Sequence, residues 1–321
     1  MRLKLLPATL PCLLLAAACS AATTTADTTT ATPVEADALM RHVSILAADS
    51  MEGRLIGTPG NAKARAYVVR EFAAAGLQPV GASLEIPFEA RSTRDSSVVR
   101  RGVNVVGQIR GRTEPGRAIV VTAHYDHVGV RNGEIYNGAD DDASGTAALI
   151  ELARWFREHP PAHTLIFAAF DGEEGGLTGS REFVRQPPVP LSSIVLNVNL
   201  DMIGRNERNE LYAAGTSHSR FLRPYLDSVA TRSPITLRFG HDDPNGPPRD
   251  DWTMQSDHAS FHRAGIPFIY FGVEDHADYH RPTDDTERLM PQFFAGAVST
   301  VLDAVRTFDR NLAAIGTASS R

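Results

Sequence analysis

The chain predicts an α/β fold: a doubly wound, mostly parallel sheet with antiparallel edge strands and helices on both faces. Three features carry this reading. Short, strongly apolar runs at 118–123 (AIVVTA), 164–170 (TLIFAAF), 194–200 (IVLNVNL) and 266–271 (IPFIYF) have the character of strands buried on both faces. Segments with helical spacing of apolar residues separate them, which is the alternation of βαβ units. Two more polar stretches, 83–89 and 102–110, joined by a polar connection over 91–101, read as a hairpin added along one side.

At the start of the chain, Arg2 and Lys4 precede an apolar segment, Leu5 to Ala18, that is broken by Pro7 and Pro11. Residues 1–18 therefore read as a secretory signal, too short and proline-broken to be a membrane span. LLAAAC resembles a bacterial lipobox, which implies an exported lipoprotein lipidated at Cys19 and anchored at the cell envelope. Ala16-x-Ala18 equally suits ordinary signal-peptidase cleavage and secretion. Residues 19–35, rich in threonine, read as a flexible tether.

A first helix is expected over 36–48, through Leu39, Val43 and Leu46. The loop MEGRLIGTPGN follows, then a helix over 62–75 capped by Gly76. Asp141 and Asp142 precede a helix over 143–158, where unpaired amides favour acids; Trp155 and Phe156 on it belong to the core. Further helices are expected at 179–186, 217–230 and 289–309. The segment 240–251 is too rich in proline and glycine to be regular and reads as a loop overhanging a site. No repeat or linker divides 36–311, which is read as a single domain, with 312–321 a disordered tail.

Hydrophobic residues make up 42% of the chain and charged residues 22%, as in globular proteins. A net charge of −6 without a basic run argues against nucleic acid as a partner. The two cysteines, Cys12 and Cys19, fall in or at the end of the signal, so the mature domain has neither a disulfide nor a thiolate metal site.

Three apolar strands run abruptly into potential ligands. AIVVTA ends in His124, LIFAAF in Asp171-Gly172-Glu173-Glu174, and IVLNVNL in Asp201. Parallel strands bring these ends to one edge of the sheet, where open α/β sheets bind ligands. Asp141 faces the same edge from the start of a helix, and His280 comes from the loop after the last strand. Imidazoles mixed with carboxylates suit a first-row divalent metal, zinc above all.

Together, HYDH, NGADDDASG, FDGEEGG, NLDMIG and DYHRPTDD, in this order, resemble the co-catalytic di-zinc aminopeptidases of metallopeptidase family twenty-eight, over about residues 36–310. The resemblance implies two zinc ions per chain, one held by His124 and Asp201, the other by Glu174 and His280, with Asp141 bridging. It implies Glu173 as the general base and Asp126 as the carboxylate that orients a ligand imidazole. The substrates implied are peptides, cleaved at the N-terminal residue by a hydroxide held between the metals.

Other readings stay open on the same residues. They are a carboxypeptidase or dipeptidase, a glutaminyl cyclase-like transferase using one zinc, an inactive binding module, and a glycosidase built on Glu173. Asp257-His258 divides evenly between a place near the site and a structural loop bond. Tyr279 could reach substrate or pack. Specificity would come from 202–206 and 240–256. His127, His163, His241, His262 and His276 read as surface or loop histidines.

Overall fold

The computed structural model describes residues 34–91 and 99–319. In chain order its elements are α1 (Ala36–Leu46), α2 (Pro59–Ala74), β1 (Gln78–Pro79), β2 (Glu85–Arg91), β3 (Val99–Ile109), β4 (Glu114–His124), β5 (Gly129–Arg131) and β6 (Glu134–Tyr136). There follow α3 (Gly145–Glu158), β7 (His163–Phe170), α4 (Thr178–Arg185), β8 (Ile194–Leu200), β9 (Glu210–Ala214), α5 (Arg223–Ala230), β10 (Thr236–Phe239), α6 (His258–Arg263), β11 (Phe268–Gly272) and α7 (Pro291–Ser319). The signal at 1–18, Cys19, most of the tether and most of the 91–101 connection lie outside the described residues.

The main sheet runs β1-β3-β7-β4-β8-β11-β9-β10, with β2 also paired to β3. Its centre, β7, β4, β8 and β11, is parallel throughout. Every residue of β7 and β8 is buried, the pattern of strands covered on both faces. Helices α1, α3 and α7 pack together on one face. On the other, Phe183 of α4 and Phe261 of α6 pack with Phe170, Ile166 and Val120 of the sheet. The chain passes from β4 to β7 on one side, then crosses to β8 on the other. The carboxyl end of β4 is therefore a topological switch point, where the loops diverge and leave a crevice.

The hairpin side matches the reading from sequence: β3 is antiparallel to β7, and β1 and β2 are antiparallel to β3. A second antiparallel junction, β9 against β11, closes the opposite margin and was not expected.

Three local expectations need correction. The second helix starts at Pro59 rather than 62, because the Thr58 side chain accepts the Asn61 amide and proline is tolerated in the first turn. The helix expected over 217–230 is confined to Arg223–Ala230, with Pro224 in its first turn; before it, the Asp242 carboxylate takes the amides of Gly215 and Ser217. The tail expected to be disordered from 312 is instead helix to Ser319, because Leu312 and Ile315 continue the buried stripe of α7.

Candidate active site

His124 is the last residue of β4, Asp201 directly follows β8, and Glu173 and Glu174 lie just beyond β7. Since β4 is flanked by β7 and β8, these residues line up along one edge of the sheet. Asp141 sits in the turn Ala139–Ser144 ahead of α3, beside a cis peptide to Asp142.

The Asp141 carboxylate divides the site in two. Its Oδ1 lies 3.3 Å from His124 Nε2, which is 3.6 Å from Asp201 Oδ1. Its Oδ2 lies 3.1 Å from His280 Nε2 and 3.7 Å from His127 Nδ1. Glu174 Oε1 completes this second group, 3.3 Å from His280 Nε2 and 2.7 Å from His127 Nδ1. His124, Asp141 and Asp201 thus form one metal-competent set, and His127, Asp141 and Glu174 another. Separations of this size approach the edge of a tetrahedron with zinc bonds of about 2.0–2.1 Å.

The residues fit a metal on a further ground. His127 Nδ1 and Glu174 Oε1 are buried and face each other at 2.7 Å, with Asp141 Oδ2 3.7 Å from the same nitrogen. An imidazole nitrogen and two carboxylate oxygens converging in a buried site are the donor set that a zinc ion takes.

The electrostatics follow from this crowding. Burial opposes charge on His124, but Asp201, Glu173 and Asp141 together hold its pKa well above the ordinary value. Burial and Asp141 push Glu174 up, yet the imidazoles of His127 and His280 bring it down to about 2. Glu173 is raised well above the usual range, first by burial and then, against the pull of His124, by Asp257, Asp201 and Glu174. Adjacent acids are thereby driven apart: one stays ionised and the other holds a proton readily.

The three consecutive aspartates have separate tasks. Asp142 accepts the amides of His124, Gly145 and Met202, joining the ends of β4 and β8 to α3. Asp140 accepts the Gly204 amide at 2.7 Å and faces His276 Nε2 at 3.1 Å. Asp141 keeps its carboxylate for the site, while its own amide and that of Asp140 donate to Asp284.

Asp126 departs from the simple orienting role. His124 Nδ1 lies 3.2 Å from the Asp126 carbonyl and 3.7 Å from its carboxylate. The carboxylate instead accepts the Glu173 amide at 3.0 Å. Asp126 therefore fixes two site residues, His124 through its backbone and Glu173 through its side chain.

His127 is the residue that sequence reasoning missed. It lies in the loop after β4, as expected, but it is fully buried and faces the second donor group instead of the surface. Its spacing, three after His124, was a usable signal. Gly138 makes its position possible: at φ +58, a Cβ there would lie 2.1 Å from the Asp141 carbonyl and 2.5 Å from the His127 ring. His163 and His276 are also buried or nearly so, against Asp309 and Asp140.

The Asp257-His258 pair divides. The Asp257 carboxylate is fully buried, and burial, then Asp201 against the pull of His124 and of the Ser180 hydroxyl, raises it to about 6. His258 faces the Trp252 carbonyl at 2.9 Å and packs between Phe268 and Tyr270. Tyr279 stacks on His280 with ring centroids 4.0 Å apart.

Comparison with known proteins agrees with this geometry. The profile of Peptidase family M28 matches residues 104–305. A probable zinc metalloprotease of Pyrenophora tritici-repentis is 32% identical over 149 residues, 43% of this chain and 33% of that protein. The match thus spans about a third of the relative's length. Among solved structures, a zinc aminopeptidase from Bacillus subtilis superposes with a TM-score of 0.67 at 19% identity, covering 85% of this chain and 95% of that one. The glutaminyl cyclase of Porphyromonas gingivalis superposes at 0.71 and 19% identity, covering 85% and 98%. With the profile spanning well over half of the chain and two donor sets sharing Asp141 at the switch point, the chain belongs to peptidase family M28.

Proposed function

We propose that the protein is a metal-dependent aminopeptidase that removes N-terminal residues from peptides, with two zinc ions divided by Asp141. The observation that carries this reading is the split carboxylate, one oxygen facing His124 and the other facing His280 and His127. His124 and Asp201 would hold one ion, Glu174, His280 and His127 the other. When bound, such ions polarise the scissile carbonyl and lower the pKa of the attacking water. Glu173, held by the Asp126–amide contact, would take the proton from that water and return it to the departing amine nitrogen. Its raised pKa supports this role, since it can carry the proton between the two steps.

Aminoacyl-p-nitroanilides, assayed with and without chelator, test the reaction; no chelator-sensitive release from any residue type would sink it. Glu173→Gln should lower kcat by about 10²–10⁴-fold with both zinc ions retained. The structural likeness to a glutaminyl cyclase supplies the second arm. Cyclisation of N-terminal glutaminyl peptides, with one zinc per chain by elemental analysis, would replace the hydrolase reading. We also propose that Cys19 is lipidated at the cell envelope, which radioactive fatty-acid labelling checks; an unlabelled mature protein would rule it out.

A further inference from the structure

We propose that Arg54, which donates no metal ligand, is the positioning residue that sets His127 against Asp141 and so shapes the second half of the centre. Its side chain is fully buried and all its bonds go to backbone carbonyls. Nε donates to Tyr125 at 2.8 Å, Nη1 to Leu46 at 2.7 Å and to Asn137 at 2.5 Å, and Nη2 to Gly138 at 2.8 Å. Tyr125 lies between His124 and His127 in the chain, and Asn137-Gly138 leads directly into Asp140-Asp141. One rigid, planar group thus bolts the exit of β4 to the turn that carries the dividing carboxylate.

The third ligand-bearing segment is tied to the same residue. The Asn61 side-chain amide donates to the Arg54 carbonyl at 3.0 Å and to Asp171 Oδ1 at 2.9 Å, two residues before Glu173. Arg54 therefore stands at the junction of the three loops that supply His127, Asp141 and Glu174.

The backbone is bent to allow this. Glu52, Gly53 and Arg54 are consecutive left-handed residues, with φ of 53°, 62° and 52°. At Gly53 a Cβ would lie 2.4 Å from the Tyr136 carbonyl, so the segment is pressed against the loop that Arg54 holds. Strain of this kind persists where the surroundings over-determine a geometry that function uses.

A cation is also not the cheapest clip for four neutral carbonyls. Burial lowers the Arg54 pKa, and the charges that oppose this are Asp141, Asp126, Asp284 and Asp142, all acids of the site. The guanidinium supplies a fixed positive charge beside carboxylates that would otherwise repel one another.

The proposal rests on the reading that this centre holds two metal ions. Its test is zinc affinity by chelator competition on the full chain, with the second binding step identified as the one His280→Ala removes. In Arg54→Lys, which keeps the charge but loses the fork, the second step should weaken about 10–100-fold and the first should change less than about threefold. Turnover should lose kcat with KM nearly unchanged. Phe308→Leu, in the buried stripe of α7 beside Asp309 at the far end of β7, supplies a destabilised control that should leave both steps alone. Should Arg54 variants fail to fold, Asn61→Ala, which cuts the tie to Asp171, should weaken the same step. Unchanged zinc affinities in a folded Arg54→Lys, or in Asn61→Ala if that alone folds, overturn the proposal. So does an equal loss in Phe308→Leu. A wild-type protein that binds no zinc would overturn the underlying reading instead.

Discussion

The two halves of the centre are built by different means. His124 and Asp201 stand at strand ends, buried, with backbones fixed by the sheet: the Tyr125 amide donates to Phe170 and the Asp201 amide to Phe271. His127, Glu174 and His280 come from loops. The His280 side chain is 39% exposed on a left-handed backbone, φ 52°, and its loop is held by side-chain contacts. These are Asp284 on the Asp140 and Asp141 amides, His276 on Asp140, and Arg205 on Asp278 at 2.6 Å. The fold itself sets the first half. A second layer of polar contacts sets the other, which should yield first when that layer is disturbed.

Asp141 is where the comparison collapses, because both halves share it. Asp141→Ala should leave neither zinc bound at stoichiometric metal and lower kcat/KM by at least about 10⁴-fold. Elemental analysis with a rate assay reads both. One zinc retained at full affinity would mean that the halves do not share this carboxylate.

Next in size is the contrast between the histidines. In the metal-free protein, His124→Ala leaves Asp141 and Asp201 without their common buried partner, a loss of about 3–5 kcal/mol. His280→Ala removes a partner more than a third exposed to solvent, and the cost should stay below about 1 kcal/mol. Urea unfolding in the presence of chelator compares the two directly. Equal costs would erase the distinction between a strand-borne and a loop-borne half.

The same contrast governs what could be read from the sequence. Strand-borne residues were legible because a wholly buried run that ends abruptly in His124 or Asp201 leaves the acid or imidazole at the sheet edge, and Glu173-Glu174 were legible because their loop leaves β7 directly. The fold class was legible for the same reason, in the unbroken burial of β7 and β8. β9 and β10 were not. ELYAA carries no strand alternation, and its pairing with β11 is made only by tertiary contact. His127 was missed because its burial depends on Gly138 lying against its ring and on the His280 loop folding over it. Likewise Asp140, Asp141 and Asp142 are alike in sequence. Only the amides of Gly204, His124, Gly145 and Met202 tell them apart.

The holding contacts of the second half give a smaller effect. Arg205→Met removes the 2.6 Å ion pair to Asp278 and leaves it with Thr283, and His276→Gln weakens the grip on Asp140. Each should weaken the second zinc step about 10–100-fold and leave the first intact, as chelator competition would show. A loss confined to the first step would reverse the assignment of which half the loop serves.

The smallest effect concerns His258, behind the first half, and asks whether Asp257 and His258 really divide their tasks. Burial holds the His258 imidazole down to about 3, against an ordinary value of 6.5, so it is neutral in the fold. The unfolded chain takes up a proton there as pH drops below 6.5, while the folded one does not until about 3. The stability it allows is therefore complete above pH 6.5 and declines across that window. The slope approaches about 1.4 kcal/mol per pH unit below pH 5.5, and the loss between pH 6.5 and 5.5 is about 1 kcal/mol. His258→Gln keeps an N–H to offer the Trp252 carbonyl but does not titrate. Its unfolding free energy should decline less steeply than wild type over this interval, by nearly one proton's worth. Parallel pH profiles for the two proteins would show that His258 is not buried neutral, and would move it from the structural side of the pair toward the acids of the first half.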